Sequence, residues 1–126
     1  MKLLVDTHLL LWAAADTLPA GAVPYFTDED NELLFSSASI WEIIIKNALN
    51  RVDFKVNSTA LYLGLLDNGY TELEITSRHA LKLAYLPPIH KDPFDRILVA
   101  QAVSEGISLL TSDKTISLYS NVIYVE

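Results

Sequence analysis

Cysteine is absent from this 126-residue chain. That excludes disulfides, thiolate zinc sites, iron–sulfur clusters and a cysteine nucleophile. Basic residues are scarce: nine Lys and Arg stand against sixteen Asp and Glu, a net charge of −7. A protein that holds nucleic acid by a diffuse basic surface is not composed this way. Histidine occurs three times, at His8, His79 and His90, with no spacing that suggests a metal site or a catalytic pair. His8 and His90 read as structural or surface residues. Long apolar runs are missing too. The longest, residues 9–15, falls far short of the roughly 20 residues that span a bilayer. Met1-Lys2, the apolar residues behind them and Ala13-Ala14-Ala15 sketch a signal peptide. Asp6 and His8 break the unbroken apolar stretch that such a segment needs. The expectation is a cytoplasmic protein with no membrane span.

What is present is apolar and evenly spread. Hydrophobic residues make up 51% of the chain and the mean hydropathy is +0.26. No repeat, linker or low-complexity tract divides it, so residues 1–126 form one domain, a length that buries a core without staples. Such apolar content means either elements buried on several sides or apolar surface that meets a partner, and a homodimer is the expectation.

Short apolar runs alternate with helical stretches. Residues 2–5, 33–35, 70–75, 108–110 and 122–125 read as strands. Residues 7–15, 39–50, 59–67, 77–85, 93–105 and 113–119 read as helices, with an irregular helix start over 19–25. Gly106 closes the helix that Asp92-Pro93 opens. The strands are apolar on both sides, which implies a mainly parallel sheet of about five strands with helices on both faces. In such sheets ligands bind beyond the carboxyl ends of the strands, where strand order reverses.

The acids collect at those places. Asp6 follows the first strand, Glu42 lies early in the helix after the second, Asp92 and Asp95 open the helix before the fourth, and Asp113 follows the fourth. Each has a plain structural reading. Asp6, Asp92 and Asp113 suit helix caps, and Asp95 suits a helix N-terminal dipole. Ser39-Ile40-Trp41-Glu42 has the capping-box spacing. Together they suggest more. Glu42 sits among Ile40, Trp41, Ile43, Ile44 and Ile45, a costly place for an unpaired charge. Clustered carboxylates repel, and oxygen ligands without Cys or His select Mg²⁺ or Mn²⁺.

Four blocks carry a family resemblance: residues 6–12 (Asp-Thr-His-Leu-Leu-Leu-Trp), 36–43 (Ser-Ser-Ala-Ser-Ile-Trp-Glu-Ile), 92–102 (Asp-Pro-Phe-Asp-Arg-Ile-Leu-Val-Ala-Gln-Ala) and 110–113 (Leu-Thr-Ser-Asp). In order and covering nearly the whole chain, they resemble the PIN domain family, and within it the VapC-type toxins of toxin–antitoxin pairs. The family's four acids fall on Asp6, Glu42, Asp95 and Asp113. The resemblance implies an Mg²⁺- or Mn²⁺-dependent endoribonuclease, a cognate antitoxin partner and a homodimer. Asp6 and Asp95 are the most direct ligands on this reading. Glu42 and Asp113 complete the metal shell or orient the attacking water. Thr7, Thr111, Asp92 and Arg96 are supporting or substrate-contacting candidates.

Softer candidates keep two readings each. Lys46, four residues after Glu42, pairs with it or contacts substrate. Arg96 binds a phosphodiester or pairs with a neighbouring acid. Trp12 and Trp41 read as core or interface. Other chemistries with an aspartate after the first strand fit poorly: a haloacid-dehalogenase-like phosphatase wants a second aspartate where His8 stands. A PIN-like fold used only to bind RNA or protein is the alternative, and it would be favoured by a missing acid.

Overall fold

Leu3, Leu4 and Val5 are fully buried although they are consecutive, as expected of a strand covered on both faces. In the computed structural model, which describes residues 1–49 and 55–126, this run is β1 (Lys2–Val5) at the centre of a five-stranded sheet. The other strands are β2 (Glu32–Ser36), β3 (Thr71–Leu73), β4 (Ser108–Thr111) and β5 (Val122–Tyr124). Their order is β3-β2-β1-β4-β5, and every pairing is parallel. Leu4 registers with Leu34 on one side and with Leu109 on the other.

Alternation along each strand divides the core in two. Leu3, Val5, Phe35 and Leu110 face one layer, packed with Leu9, Leu10, Ile43, Leu61 and Leu65. Those partners come from α1 (Thr7–Ala14), α3 (Ser37–Ala48) and α4 (Ser58–Asp67). Leu4, Leu34 and Leu109 face the other, packed with Leu98, Val99, Ala102, Ile116 and Tyr119. That layer is built largely on α6 (Pro93–Glu105). Each such leucine contributes about 1.5–3 kcal/mol on leaving water. The parallel sheet with helices on both faces is therefore as the sequence implies. Among the described residues, no helix is long and apolar enough to cross a membrane.

Local departures have local causes. α2 (Val23–Thr27) starts later than residue 19, because Pro19–Ala22 closes a turn of its own through Ala22 N–H to the Pro19 carbonyl, 2.9 Å. α3 begins at Ser37, with Ser36 as its N-cap, so Ser39 and Glu42 do not form a capping box. Residue 50, the far end expected for that helix, lies outside the described residues. α5 (Ser77–Lys82) tightens into a 3-10 turn at Leu83–Tyr85 before Pro87. α6 ends at Gly106, whose φ of 67° is the left-handed conformation that glycine adopts without strain. The helix expected over 113–119 is a single 3-10 turn, Ile116–Leu118.

Candidate metal centre

Strand order reverses at β1, which lies between β2 and β4, and Asp6 is the first residue beyond its carboxyl end. As N-cap of α1 it accepts the Leu9 N–H on Oδ1 at 2.8 Å. Its Oδ2 accepts the hydroxyl of Thr111, the last residue of β4. The carboxyl is 2% exposed. Burial raises its pKa above the ordinary carboxylate range, and the bonds from Thr111 and Leu9 pull it back. Thr111 Oγ1 also accepts the Asp113 N–H at 3.0 Å. One threonine thus ties the residues beyond two neighbouring strands. Asp113 in turn caps the 3-10 turn, its Oδ1 accepting from Thr115 N (2.8 Å) and Ile116 N (3.1 Å).

Glu42 reaches the site from α3. It is 3% exposed, with Oε2 2.9 Å from Lys46 Nζ, so the i,i+4 pair expected between them forms. Its Oε1 is buried and has no hydrogen-bond partner among the described residues. Ser39, freed from capping, joins its hydroxyl to that of Thr7 at 2.8 Å, both buried, and so links α3 to α1.

α6 supplies the remaining acids. Asp92 is its N-cap, with Pro93 at the first helical position, and accepts from Phe94 N (2.8 Å) and Asp95 N (3.3 Å). Asp95 lies in the first turn, half-buried. Its pKa is pushed up to about 7, first by burial and then by the charges of Asp92, Glu42 and Asp113, against a lowering by His90. Asp113 also bears on Asp6. Asp6, Glu42, Asp95 and Asp113 therefore share one electrostatic neighbourhood although they lie far apart in the chain. The donor set fits a hard dication: oxygen donors, mutual repulsion and a buried carboxylate oxygen without a hydrogen-bond partner among the described residues.

The site also holds a residue the sequence leaves aside. His90 Nε2 lies 3.2 Å from Asp95 Oδ2 and 3.6 Å from Asp113 Oδ2. Potential ligand atoms of His90, Asp95 and Asp113 all fall within 4.8 Å of one another. Arg96 spends its guanidinium on the segment before α6. Its guanidinium donates to the carbonyls of Pro87 (3.2 Å), His90 (3.4 Å) and Leu83 (3.3 Å) and to the Tyr119 hydroxyl (3.4 Å). The Tyr119 hydroxyl donates to the Pro87 carbonyl at 2.9 Å and accepts the His90 N–H at 2.9 Å. Arg96 and Tyr119 thus hold the segment that carries His90. Trp12 and Trp41 are not core: Trp41 is 58% exposed and meets Phe94 edge-on, with ring centroids 5.0 Å apart.

Comparison with known proteins bears on the family and the fold. No curated protein is a significant sequence match. Several solved structures share the fold at low identity. VapBC2 from Rickettsia felis, bound to a promoter DNA fragment, is 12% identical, covers all of both chains and has a TM-score of 0.71. DNA-bound VapBC from Salmonella typhimurium is 16% identical over 100% of this chain and 97% of that one, with a TM-score of 0.69. FitAcB from Neisseria gonorrhoeae is 14% identical over 98% and 96%, with a TM-score of 0.66. The PIN domain model matches residues 3–121, a span that holds every acid discussed above, and the chain belongs to the PIN domain family.

Proposed function

We propose that this chain is an Mg²⁺- or Mn²⁺-dependent endoribonuclease, the toxin of a toxin–antitoxin pair, acting in the cytoplasm as a homodimer. The observation that carries the nuclease reading is the gathering of Asp6, Glu42, Asp95 and Asp113 at the switch point of the sheet, with a buried Glu42 oxygen lacking a partner among the described residues. When bound there, a hard dication polarises a phosphoryl oxygen and supplies water as nucleophile. Asp6 and Asp95 are the proposed main ligands. Glu42 and Asp113 complete the shell or orient the water. Thr111 keeps Asp6 and Asp113 in register, and Thr7 braces the start of α1 through Ser39. Exposed Lys91 and Lys114 adjoin Asp92 and Asp113 in sequence and supply local positive charge on an acidic chain. Such charge suits a single-stranded or looped RNA backbone.

The toxin role rests on family membership and on fold neighbours solved as VapBC and FitAcB. An antitoxin segment has an apolar groove of about 1160 Å³ to enter, lined by Leu11, Trp12, Leu18, Phe26, Leu61 and Leu65. The second copy of the homodimer has the exposed apolar residues Trp41, Ile44 and Ile45 of α3 and its C-cap Leu49 to cover.

The test is incubation of the purified chain with labelled RNA, with Mn²⁺ or with EDTA. Metal-dependent cleavage is expected, leaving 5′-phosphate and 3′-hydroxyl ends because water rather than the RNA 2′-hydroxyl attacks. Asp6→Asn and Asp95→Asn each abolish it while the circular dichroism spectrum stays native. RNA binding without cleavage by the wild type would assign a binding module instead.

A further inference from the structure

The three-residue group His90, Asp95 and Asp113 has the look of a mixed nitrogen–oxygen metal site. The hydrogen bonds around the ring argue otherwise. His90 Nδ1 accepts the backbone N–H of Asp92 at 3.0 Å. An accepting Nδ1 has a lone pair and no proton, so the neutral ring carries its proton on Nε2. Nε2 is the atom that faces Asp95 Oδ2 at 3.2 Å and Asp113 Oδ2 at 3.6 Å. A protonated Nε2 has no lone pair for a cation. Moving the proton to Nδ1 would set it against the Asp92 N–H.

The backbone of His90 is fixed independently of the acids. Tyr119 accepts its N–H, Arg96 donates to its carbonyl, and the two side chains touch each other. Asp113 has one oxygen committed to the Thr115 and Ile116 N–H groups, and the other faces the ring. A rigidly mounted N–H thus stands between two carboxylates that arrive on different elements, α6 and the turn after β4.

We propose that His90 is a positioning residue that turns a protonated Nε2 toward Asp95 Oδ2, with Asp113 just beyond hydrogen-bond reach, and that it is not a metal ligand. The proposal rests on the reading of the acid cluster as a divalent-metal site. Donors of this kind orient ligating carboxylates, and their loss weakens metal binding by about 10- to 100-fold. Without the Nε2–H, Asp95 and Asp113 repel with nothing between them and leave the ligating arrangement.

The full-length protein tests this in two measurements. Ring ¹⁵N shifts of the metal-free wild type report the tautomer, and a proton on Nε2 of His90 is expected. Electron paramagnetic resonance then follows Mn²⁺ uptake and any ¹⁴N coupling to the bound ion in wild type, His90→Ala and His90→Gln. The expected result is no directly coordinated imidazole nitrogen in the wild type. His90→Ala should bind Mn²⁺ about 10- to 100-fold more weakly. His90→Gln, whose amide still donates, should recover most of that loss. Should His90→Ala fail to fold, the glutamine variant and the wild-type spectra still decide. A proton on Nδ1 overturns the proposal. So does ¹⁴N coupling that vanishes in His90→Gln, wild-type affinity in His90→Ala, or a glutamine variant as weak as the alanine one. A wild type that takes up no Mn²⁺ refutes the metal reading itself and the proposal with it. Mn²⁺ uptake with a coordinated His90 nitrogen refutes the proposal alone.

Discussion

Asp95 sits where a carboxylate is costly: half-buried, with Asp92, Glu42 and Asp113 within electrostatic reach. Its pKa rises from an ordinary 3.8 to about 7. Between about pH 4 and 7 the folded chain therefore holds a proton that the unfolded chain has released. Protons bound in excess by the native state make stability fall as pH rises through that window. This is the reverse of a salt-bridged aspartate. Burial raises the Asp6 carboxyl as well, and it acts in the same direction. Thermal melts in EDTA should show a melting temperature that drops from pH 5 to pH 8, and Asp95→Asn should flatten most of that drop. Metal needs the ionised form, so wild-type Mn²⁺ affinity should rise over the same interval. A melting temperature indifferent to pH in the wild type would remove the electrostatic account of Asp95. Asp6, Asp92, Asp95 and Asp113 are legible in the sequence because they lie at or beside element boundaries, and Glu42 because a lone carboxylate among isoleucines stands out. His90 is not. Its partners lie on α6 and on the turn after β4, and a loop residue that bridges two elements obeys no helical or strand spacing. Arg96 keeps two readings in the sequence for a related reason. Only the path of residues 83–90 reveals the carbonyls that take up its guanidinium.

At the scale of the element, α6 shows how one residue serves structure and chemistry together. Asp92 caps the helix through two backbone N–H groups and also adds to the charge that raises Asp95. These effects separate under mutation. Asp92→Ala removes the cap and should cost about 1 kcal/mol in urea unfolding. Asp92→Asn keeps a capping oxygen, removes the repulsion and should unfold at or above the wild-type midpoint in EDTA near pH 8. If the two variants are equally destabilised, the charge of Asp92 has no bearing on Asp95. The elements themselves are largely legible. The strands declare themselves as apolar runs, and Pro93, Gly106 and the Asn68-Gly69 pair punctuate the helices. What the sequence hides is competition for the same backbone groups. Ser36 and Ser39 are both credible caps three residues apart; Ser36 is the one that accepts the Ala38 N–H, at 3.0 Å, which releases Ser39 to bond Thr7. After β4, Asp113 caps a turn, but Tyr119 leaves it to reach Pro87 and His90, so a full helix does not form. Long-range bonds of this kind have no local signature.

For the whole molecule, the sheet order matters more than any single element, because it brings Asp6, Asp95 and Asp113, with Glu42 of α3, into one electrostatic neighbourhood. Folding concentrates negative charge there and unfolding disperses it, so a dication binds the native state preferentially. With a dissociation constant of about 1 mM, about 10 mM metal stabilises the fold by roughly 1.4 kcal/mol. For a domain of this size that raises the melting temperature by a few degrees. Asp6→Asn probes whether the gathered charge is the cause. The asparagine oxygen can still cap α1 through the Leu9 N–H, so local structure survives. The variant also loses a charge that is almost wholly buried. In EDTA it should therefore melt at or above the wild type. With Mn²⁺ at constant ionic strength it should gain less, since one ligand charge is gone. An aspartate that only caps a helix predicts the other pattern, in which wild type and variant respond to metal alike. Paired melts with EDTA and with Mn²⁺ distinguish the two. Equal metal shifts would refute the carboxylate cluster as a metal centre even though the chain folds as a PIN domain.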